Sequence, residues 1–298
     1  MITQLAAMAL IIALGWYMGY KKTIGEQTTA ELSNFLMRYV VPVVMVLTLD
    51  RPYVHEEAMR MLAAAVITIG AKLLMIAGTK LLFKKEQTAE RYAIIFYNAV
   101  FMGIPLIQGL FGTEALIYIV PTIIISNILT WTYGVRMLSG TKAPLQWKDL
   151  RKNPAIIGGV VGMVFFLTPL ELPPFVRYAA ELVSGLNTPL GMFLIGIFLA
   201  REPITRVLQN RAALKVALVR LLLVPVLLAL LLLPLPLSSD LKLIQMIMHA
   251  TPAAVNLAIF SELLGKDANY GAQLVSVSTL LMVVTMLLIQ LLGSRLFL

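Results

Sequence analysis

The stretch AIIFYNAVFMGIPLIQGLFG runs from Ala93 to Gly112 and is apolar enough to cross a bilayer, yet Gly103-Ile104-Pro105 sits near its middle, where a helix is expected to break. An unpaired backbone N–H cannot face lipid. A break at that depth is tolerated only where protein or a water-filled cavity surrounds it. A second stretch has the same construction: LIQMIMHATPAAVNLAIFSELLG, Leu243 to Gly265, is interrupted at Thr251-Pro252. Thr is a good helix cap and Pro is favoured at the first helical position, so a new half-helix is expected to begin there, and Pro105 is expected to start one in the same way after Gly103 loosens the backbone.

Working outward from these two stretches, composition sets the class. Hydrophobic residues make up 59% of the 298 and charged residues only 13%, with a mean hydropathy of +0.88. Apolar segments of about 20 residues, the length of a membrane-spanning helix, follow one another almost from end to end. This is the composition of an all-α integral membrane protein, with no room for a soluble domain. The first apolar segment lacks a basic leader and a small-residue cleavage site and is read as a retained helix. With no cysteine, disulfides, thiolate metal sites and cysteine nucleophiles are excluded, and two histidines make a histidine-rich metal site implausible, so no metal and no cofactor are expected.

Ten transmembrane helices are expected, at about 3–20, 31–49, 58–83, 91–111, 114–138, 154–172, 175–200, 212–236, 241–264 and 267–297. Alternate loops collect the positive charge: Lys21 and Lys22; Lys80, Lys84, Lys85 and Arg91; Arg136, Lys142, Lys148, Arg151 and Lys152; Arg201, Arg206, Arg211 and Lys215; and Lys266. Arg51, Arg60, Arg177, Lys242 and Arg295 fall on the opposite face. The positive-inside rule then puts the rich face in the cytoplasm and both termini outside. The formal charge of +9 is explained by topology; it is dispersed over short loops without interleaved aromatics, which argues against a nucleic-acid partner.

A hydrophilic linker over 141–153 divides the chain into a first five-helix repeat, 1–140, and a second, 154–298. An odd number of helices per half makes the second half enter the membrane from the opposite side, so related halves must be inverted repeats. Their layouts correspond. GWYMG at Gly15 to Gly19 answers GGVVG at Gly158 to Gly162; PVVMVLTLDRP from Pro42 answers PLGMFLIGIFLAREP from Pro189; FGTEA answers LGKDA at the ends of the fourth helices. Small-residue pairs by themselves signal close helix packing.

The breaks of the two interrupted helices, the fourth and the ninth, are expected to meet, because each needs the other to cover it. Paired discontinuous helices in inverted repeats mark a transporter's substrate site, and their half-helix N-termini carry partial positive charge suited to a carboxylate. Asn98, two turns before Pro105, and Asn256, one turn after Pro252, can face the breaks. The alternatives are a proline kink healed by neighbours and an interhelical bond for each Asn. The expected substrate-binding set is Asn98, Gly103, Pro105, Thr251, Pro252 and Asn256.

Charge within the spans is expensive and marks pathways. Lys72 lies near the middle of the third helix and can balance an anion or join a static bridge. Arg38 and Arg220 are expected to snorkel to the headgroups. Glu262 is a proton or partner site or an ordinary exposed helix end, and His249 a titrating group or a packed hydrogen-bonding one. Ser276, Ser278 and Thr279 are read as bonded back to their own helix, with a cation site as the alternative. The sixteen methionines read as core filler.

YNAVFMGIPLIQGLFG from Tyr97 and TPAAVNLAIFSELLGKDANYGAQLVSVSTLL from Thr251 resemble the fourth and ninth helices of the auxin efflux carrier family, which includes the plant PIN-FORMED exporters and bacterial carriers associated with malonate and malate. NPAIIGGVVG from Asn153 and NTPLGMFLIGIFLA from Asn187 resemble its sixth and seventh helices. The wider group is similar in architecture to the bile-acid sodium symporters. The resemblance implies five-plus-five inverted repeats crossed around Pro105 and Pro252, and a scaffold from helices one, two, six and seven with the rest moving. It further implies elevator-type alternating access and a homodimer. The long cytoplasmic loop of many plant exporters is absent, which points to a bacterial inner-membrane permease.

The function expected is therefore a secondary transporter of small organic anions embedded in the bilayer, with Na⁺ or H⁺ coupling open. An anion channel built on the same broken helices is the alternative. A membrane-embedded enzyme lacks the required cluster of reactive side chains, a sensor subunit lacks an output domain, and no P-loop supports direct ATP drive.

Overall fold

The structure, a computed structural model, describes residues 2–140, 151–200 and 209–298, and side chains from residue 6 onward. Most of the expected linker, 141–153, lies outside the described residues, as do Lys142, Lys148, Arg201 and Arg206 of the loop charges. The described chain is helical: α1 (Ile2–Tyr20), α2 (Glu26–Leu49), α3 (His55–Leu82), α4 (Thr88–Ile95), α5 (Ala99–Phe111), α6 (Thr113–Ser139), α7 (Pro154–Leu167), α8 (Pro174–Ala200), α9 (Arg211–Leu232), α10 (Ser239–His249), α11 (Asn256–Leu263) and α12 (Ala268–Phe297). Extended pairing among the described residues is confined to one isolated bridge, Tyr97 with Ala253.

Six of these helices, α2, α3, α6, α8, α9 and α12, are long and apolar enough to cross a membrane. Their outward faces carry large apolar side chains such as Leu74, Leu81, Leu231 and Leu291. Such a surface matches lipid, and the chain is a multi-pass membrane protein. Two expected ends move inward. The expected sixth helix, α7, stops at Leu167 instead of 172, because the residue before Pro169 is pushed out of the helical region by the following ring and Thr168 is extended, and α9 stops at Leu232 instead of 236, two residues before Pro234.

The chain folds as two compact units that interleave along the sequence. The first comprises Met1–Ala63, Val100–Asn127 and Trp147–Arg201. Within it, α1 lies so close to α8 that a Cβ on Gly15 would run into the carbonyl of Phe193, and one on Gly196 into that of Ile12. Likewise α7 lies on α2, where a Cβ on Gly158 would sit 2.6 Å from Pro42 Cα and one on Gly162 2.9 Å from the Met45 carbonyl. The small-residue pairs are thus contact seams. Asn153 starts α7 by accepting from the N–H groups of Ala155 and Ile156, with Pro154 at the first turn. At the far end of α2, Asp50 accepts from Leu172 N–H and pairs with Arg177 at 2.9 Å.

The second unit comprises Ala64–Ala99, Ile128–Gln146 and Glu202–Leu298. It holds most of α3, α4, the C-terminal part of α6, and α9 to α12. Asn210 and Asp267 cap α9 and α12 by accepting from Ala213 and Tyr270 N–H. Side chains tie its elements together: Tyr270 donates to Glu90 at 3.1 Å, and Asn210 to Gln273 at 2.8 Å.

Candidate functional site

The second unit contains both helix interruptions that give the chain its unusual pattern, Phe96–Asn98 after α4 and Ala250–Val255 after α10. Leaving the helix strands backbone groups deep in the unit, and each has to find a partner. The two segments solve this by pairing antiparallel at Tyr97 and Ala253: Asn98 N–H donates to the carbonyl of Pro252 at 2.8 Å, and Ala254 N–H to that of Phe96 at 3.1 Å. Ala253 N–H, facing away from this pair, donates to Ser278 Oγ of α12 at 3.1 Å, and the Ser278 hydroxyl donates onward to Val275.

The terminal carbonyls of α4 and one carbonyl of the interruption after α10 are met by cations. Lys72 Nζ, from α3, donates to Ile95 at 2.7 Å. Arg220, from α9, donates through Nε to Thr251 and through Nη1 to Ile94, each at 3.1 Å. Carbonyls at a helix C-terminus carry partial negative charge, so a cation there is favourably placed. The Tyr97 ring lies near both: Lys72 Nζ is 3.8 Å and the Arg220 guanidinium carbon 4.7 Å from its centroid, distances at which the ring's negative face attracts a cation. His249 completes the group, with Nδ1 against the Gln245 carbonyl at 2.8 Å and Nε2 near the Tyr97 hydroxyl at 3.4 Å. Lys72, Arg220, His249 and Thr251 are all 0% exposed. Among the described residues neither Lys72 nor Arg220 forms an ion pair, and Arg220 Nη2 is buried without a hydrogen-bond partner.

Of the residues singled out from sequence, Lys72, Asn98, Thr251, Pro252 and His249 come together here. Asn256 opens α11 and is half-buried. Glu262 is exposed near the end of that helix. Gly103 and Pro105 belong to the first unit, in α5, where a Cβ on Gly191 of α8 would lie 3.1 Å from the Pro105 ring.

Three expectations are corrected. The break of the first half falls at Tyr97-Asn98 and not at Gly103–Pro105: a π turn over Ala99–Gly103 carries the helix through to Pro105, with Gly103 in ordinary helical conformation. The wide turn accommodates the missing proline N–H. Thr251 does not cap a new helix; its hydroxyl donates back to Met248 at 2.7 Å, closing α10, and α11 starts only at Asn256. Arg220 does not snorkel but turns inward. The signal was present, since it lies eight residues inside the expected span, about 12 Å at 1.5 Å per residue. Tyr97 and the position of Ser278 were not read as parts of the site.

No group of three or more acidic or histidine side chains suited to a metal occurs among the described residues. Two broken helices paired at their breaks, in a multi-pass membrane protein, are the arrangement of transporters built on discontinuous helices. A family model described as membrane transport protein matches residues 1–148 and 143–290. The chain belongs to this family, that of the auxin efflux carriers. It is 22% identical to the uncharacterized transporter MJ1031 of Methanocaldococcus jannaschii over 205 residues, which are 64% of this chain and 66% of that one. It is 20% identical to the uncharacterized transporter YfdV of Escherichia coli K12 over 219 residues, 67% and 68% of the two chains. The chain thus spans about two thirds of the length of these relatives, which are transporters and not enzymes.

Proposed function

We propose that this membrane transporter is a secondary carrier of small organic anions such as carboxylates. The observation that carries the reading is the charge balance of the crossover: two fully buried cations, no carboxylate paired with either among the described residues, and one guanidinium nitrogen, Arg220 Nη2, left with a free donor. Burying charge without a counter-ion is costly, and an anionic substrate relieves that cost while it is bound. Asn98, Thr251, Pro252 and Asn256 line or flank the same crossover and are proposed to shape the substrate site with Lys72. Glu262 and His249 remain candidates for coupling to H⁺ or Na⁺.

The larger architecture belongs to the same proposal: ten membrane crossings in two inverted five-helix repeats, with both termini outside the cytoplasm of a bacterial inner membrane. What supports it is a reciprocal pairing. The first helix of the first half, α1, packs on the second of the other half, α8, while α7 packs on α2. The first unit contains α1, α2, α7 and α8, the scaffold set implied by the family, and the crossover of backbones lies in the second. Elevator-type movement and a homodimer are carried over from the family.

Counterflow of labelled malonate, malate and indole-3-acetate into proteoliposomes, with and without a Na⁺ gradient, tests the function. Saturable exchange reduced in Asn256→Ala supports an organic-anion carrier working at the crossover. Flux that does not saturate would favour a channel, and no flux of any of the three from folded protein would overturn the anion reading.

A further inference from the structure

In transporters with discontinuous helices, unwound carbonyls and half-helix C-termini are the groups that coordinate a coupling cation. In this chain the corresponding carbonyls are already taken. Ile95 accepts from Lys72 Nζ, and Ile94 and Thr251 accept from Arg220, so that the C-terminus of α4 and the unwound segment just after α10 each end on a side-chain cation. The Lys72 ammonium has a carbonyl oxygen at 2.7 Å and an aromatic face at 3.8 Å, the donor set a small monovalent cation would use. The Tyr97 ring, near both cations, supplies the negative electrostatic face that a carboxylate would supply elsewhere.

We propose that Lys72 and Arg220 are tethered cations that stand in for a recruited inorganic cation at the crossover, with Tyr97 as the positioning residue that lets two like charges share the site. The crossover then needs no Na⁺ to hold its two broken helices, and transport through it draws on no inorganic cation bound there. Emptying the Lys72 position leaves a site for a small monovalent cation, such as Na⁺ or an alkylammonium, at the Ile95 carbonyl and the Tyr97 ring. Glu262 does not balance the charge, since it is exposed at the other end of α11. The remaining titratable neighbour, His249, is held by Gln245 and Tyr97.

The inference uses the crossover's backbone and does not depend on which anion is carried, so it is read by thermal unfolding of the full-length protein in detergent without substrate. In matched NaCl, KCl and choline chloride the wild-type protein should unfold at one temperature. Lys72→Ala should unfold lower, by about 3 °C or more, and should regain stability saturably with NaCl or methylammonium chloride but not with choline. A saturable Na⁺-dependent rise in the wild-type protein would overturn the proposal, as would a Lys72→Ala protein that shows no response to either small cation. Tyr97 gives a second arm should Lys72→Ala fail to fold. Tyr97→Phe, which keeps the ring and gives up only the hydroxyl contact with His249, should be destabilised less than Tyr97→Leu, and Tyr97→Leu with Lys72→Met should be less destabilised than the sum of the two single changes, because one cation no longer needs the ring. Strict additivity would show that the ring merely fills space and would remove Tyr97 from its positioning role.

Discussion

Two residues that bear on the crossover do so through groups that are easy to overlook. Ser278 is one hydroxyl in a long apolar helix, yet it is the acceptor for the Ala253 N–H, which the antiparallel pair leaves pointing toward α12. Ser278→Ala should cost about 1–3 kcal/mol, the penalty for a buried donor left unpaired, and a drop in thermal unfolding temperature with unchanged helix content would show it. Arg220 serves two carbonyls and still has a donor free. Arg220→Lys keeps the charge but gathers its donors on one nitrogen, so it cannot reach Ile94 and Thr251 and also meet an anion. Losing one charge-assisted hydrogen bond of about 1.5–3 kcal/mol should raise the half-saturating substrate concentration by roughly tenfold or more; an unchanged value in the counterflow assay would place the anion elsewhere.

Among the elements, the helix pairs α1–α8 and α2–α7 depend on the absence of side chains at a few positions. Gly196 meets the backbone of α1 so closely that even a Cβ overlaps the Ile12 carbonyl. Gly196→Leu should therefore force the two helices apart and destabilise the first unit by at least about 1–3 kcal/mol, the usual range for overpacking. Gly70, within α3, is the control: a Cβ there meets nothing within 4 Å. Gly70→Ala should be neutral or stabilising by about 0.5–1 kcal/mol because alanine loses less backbone freedom in a helix. Both are read by unfolding temperature, and equal effects would show that the seam does not discriminate by space. The π turns have an element-scale meaning too: in α2, α5 and α9 they lie directly before or just ahead of Pro42, Pro105 and Pro225, so a helix continues past a residue that cannot donate.

For the whole molecule, the distribution of Lys and Arg sets an orientation that can be measured directly. The chain has no cysteine, so a single introduced thiol is labelled without background. Thr23 lies between α1 and α2 beside Lys21 and Lys22, and Glu171 between α7 and α8; both are exposed. In intact cells a membrane-impermeant maleimide should label Glu171→Cys, while Thr23→Cys should react only after the membrane is opened. The reverse pattern would invert the proposed topology.

Hydropathy, charge bias and the two proline-bearing stretches in the sequence were enough to establish a multi-pass helical membrane protein and to direct attention to residues near 98 and 252, because bilayer thickness and the intolerance of lipid for unpaired backbone act on local sequence. Lys72 was legible for the same reason, as a charge too deep in a span to escape. The exact break in the first half was not, since Gly103-Ile104-Pro105 looks like a breaker and only a π turn, stabilised by its surroundings, lets the helix pass it. Nor did the sequence decide that Arg220 turns inward, that Tyr97 lies beside two cations, or that Ser278 receives Ala253 N–H. Those contacts join residues up to 145 positions apart, as between Met75 and Arg220, and depend on which carbonyls the broken helices leave open once they have paired. That is a property of the assembled backbone, not of any one segment.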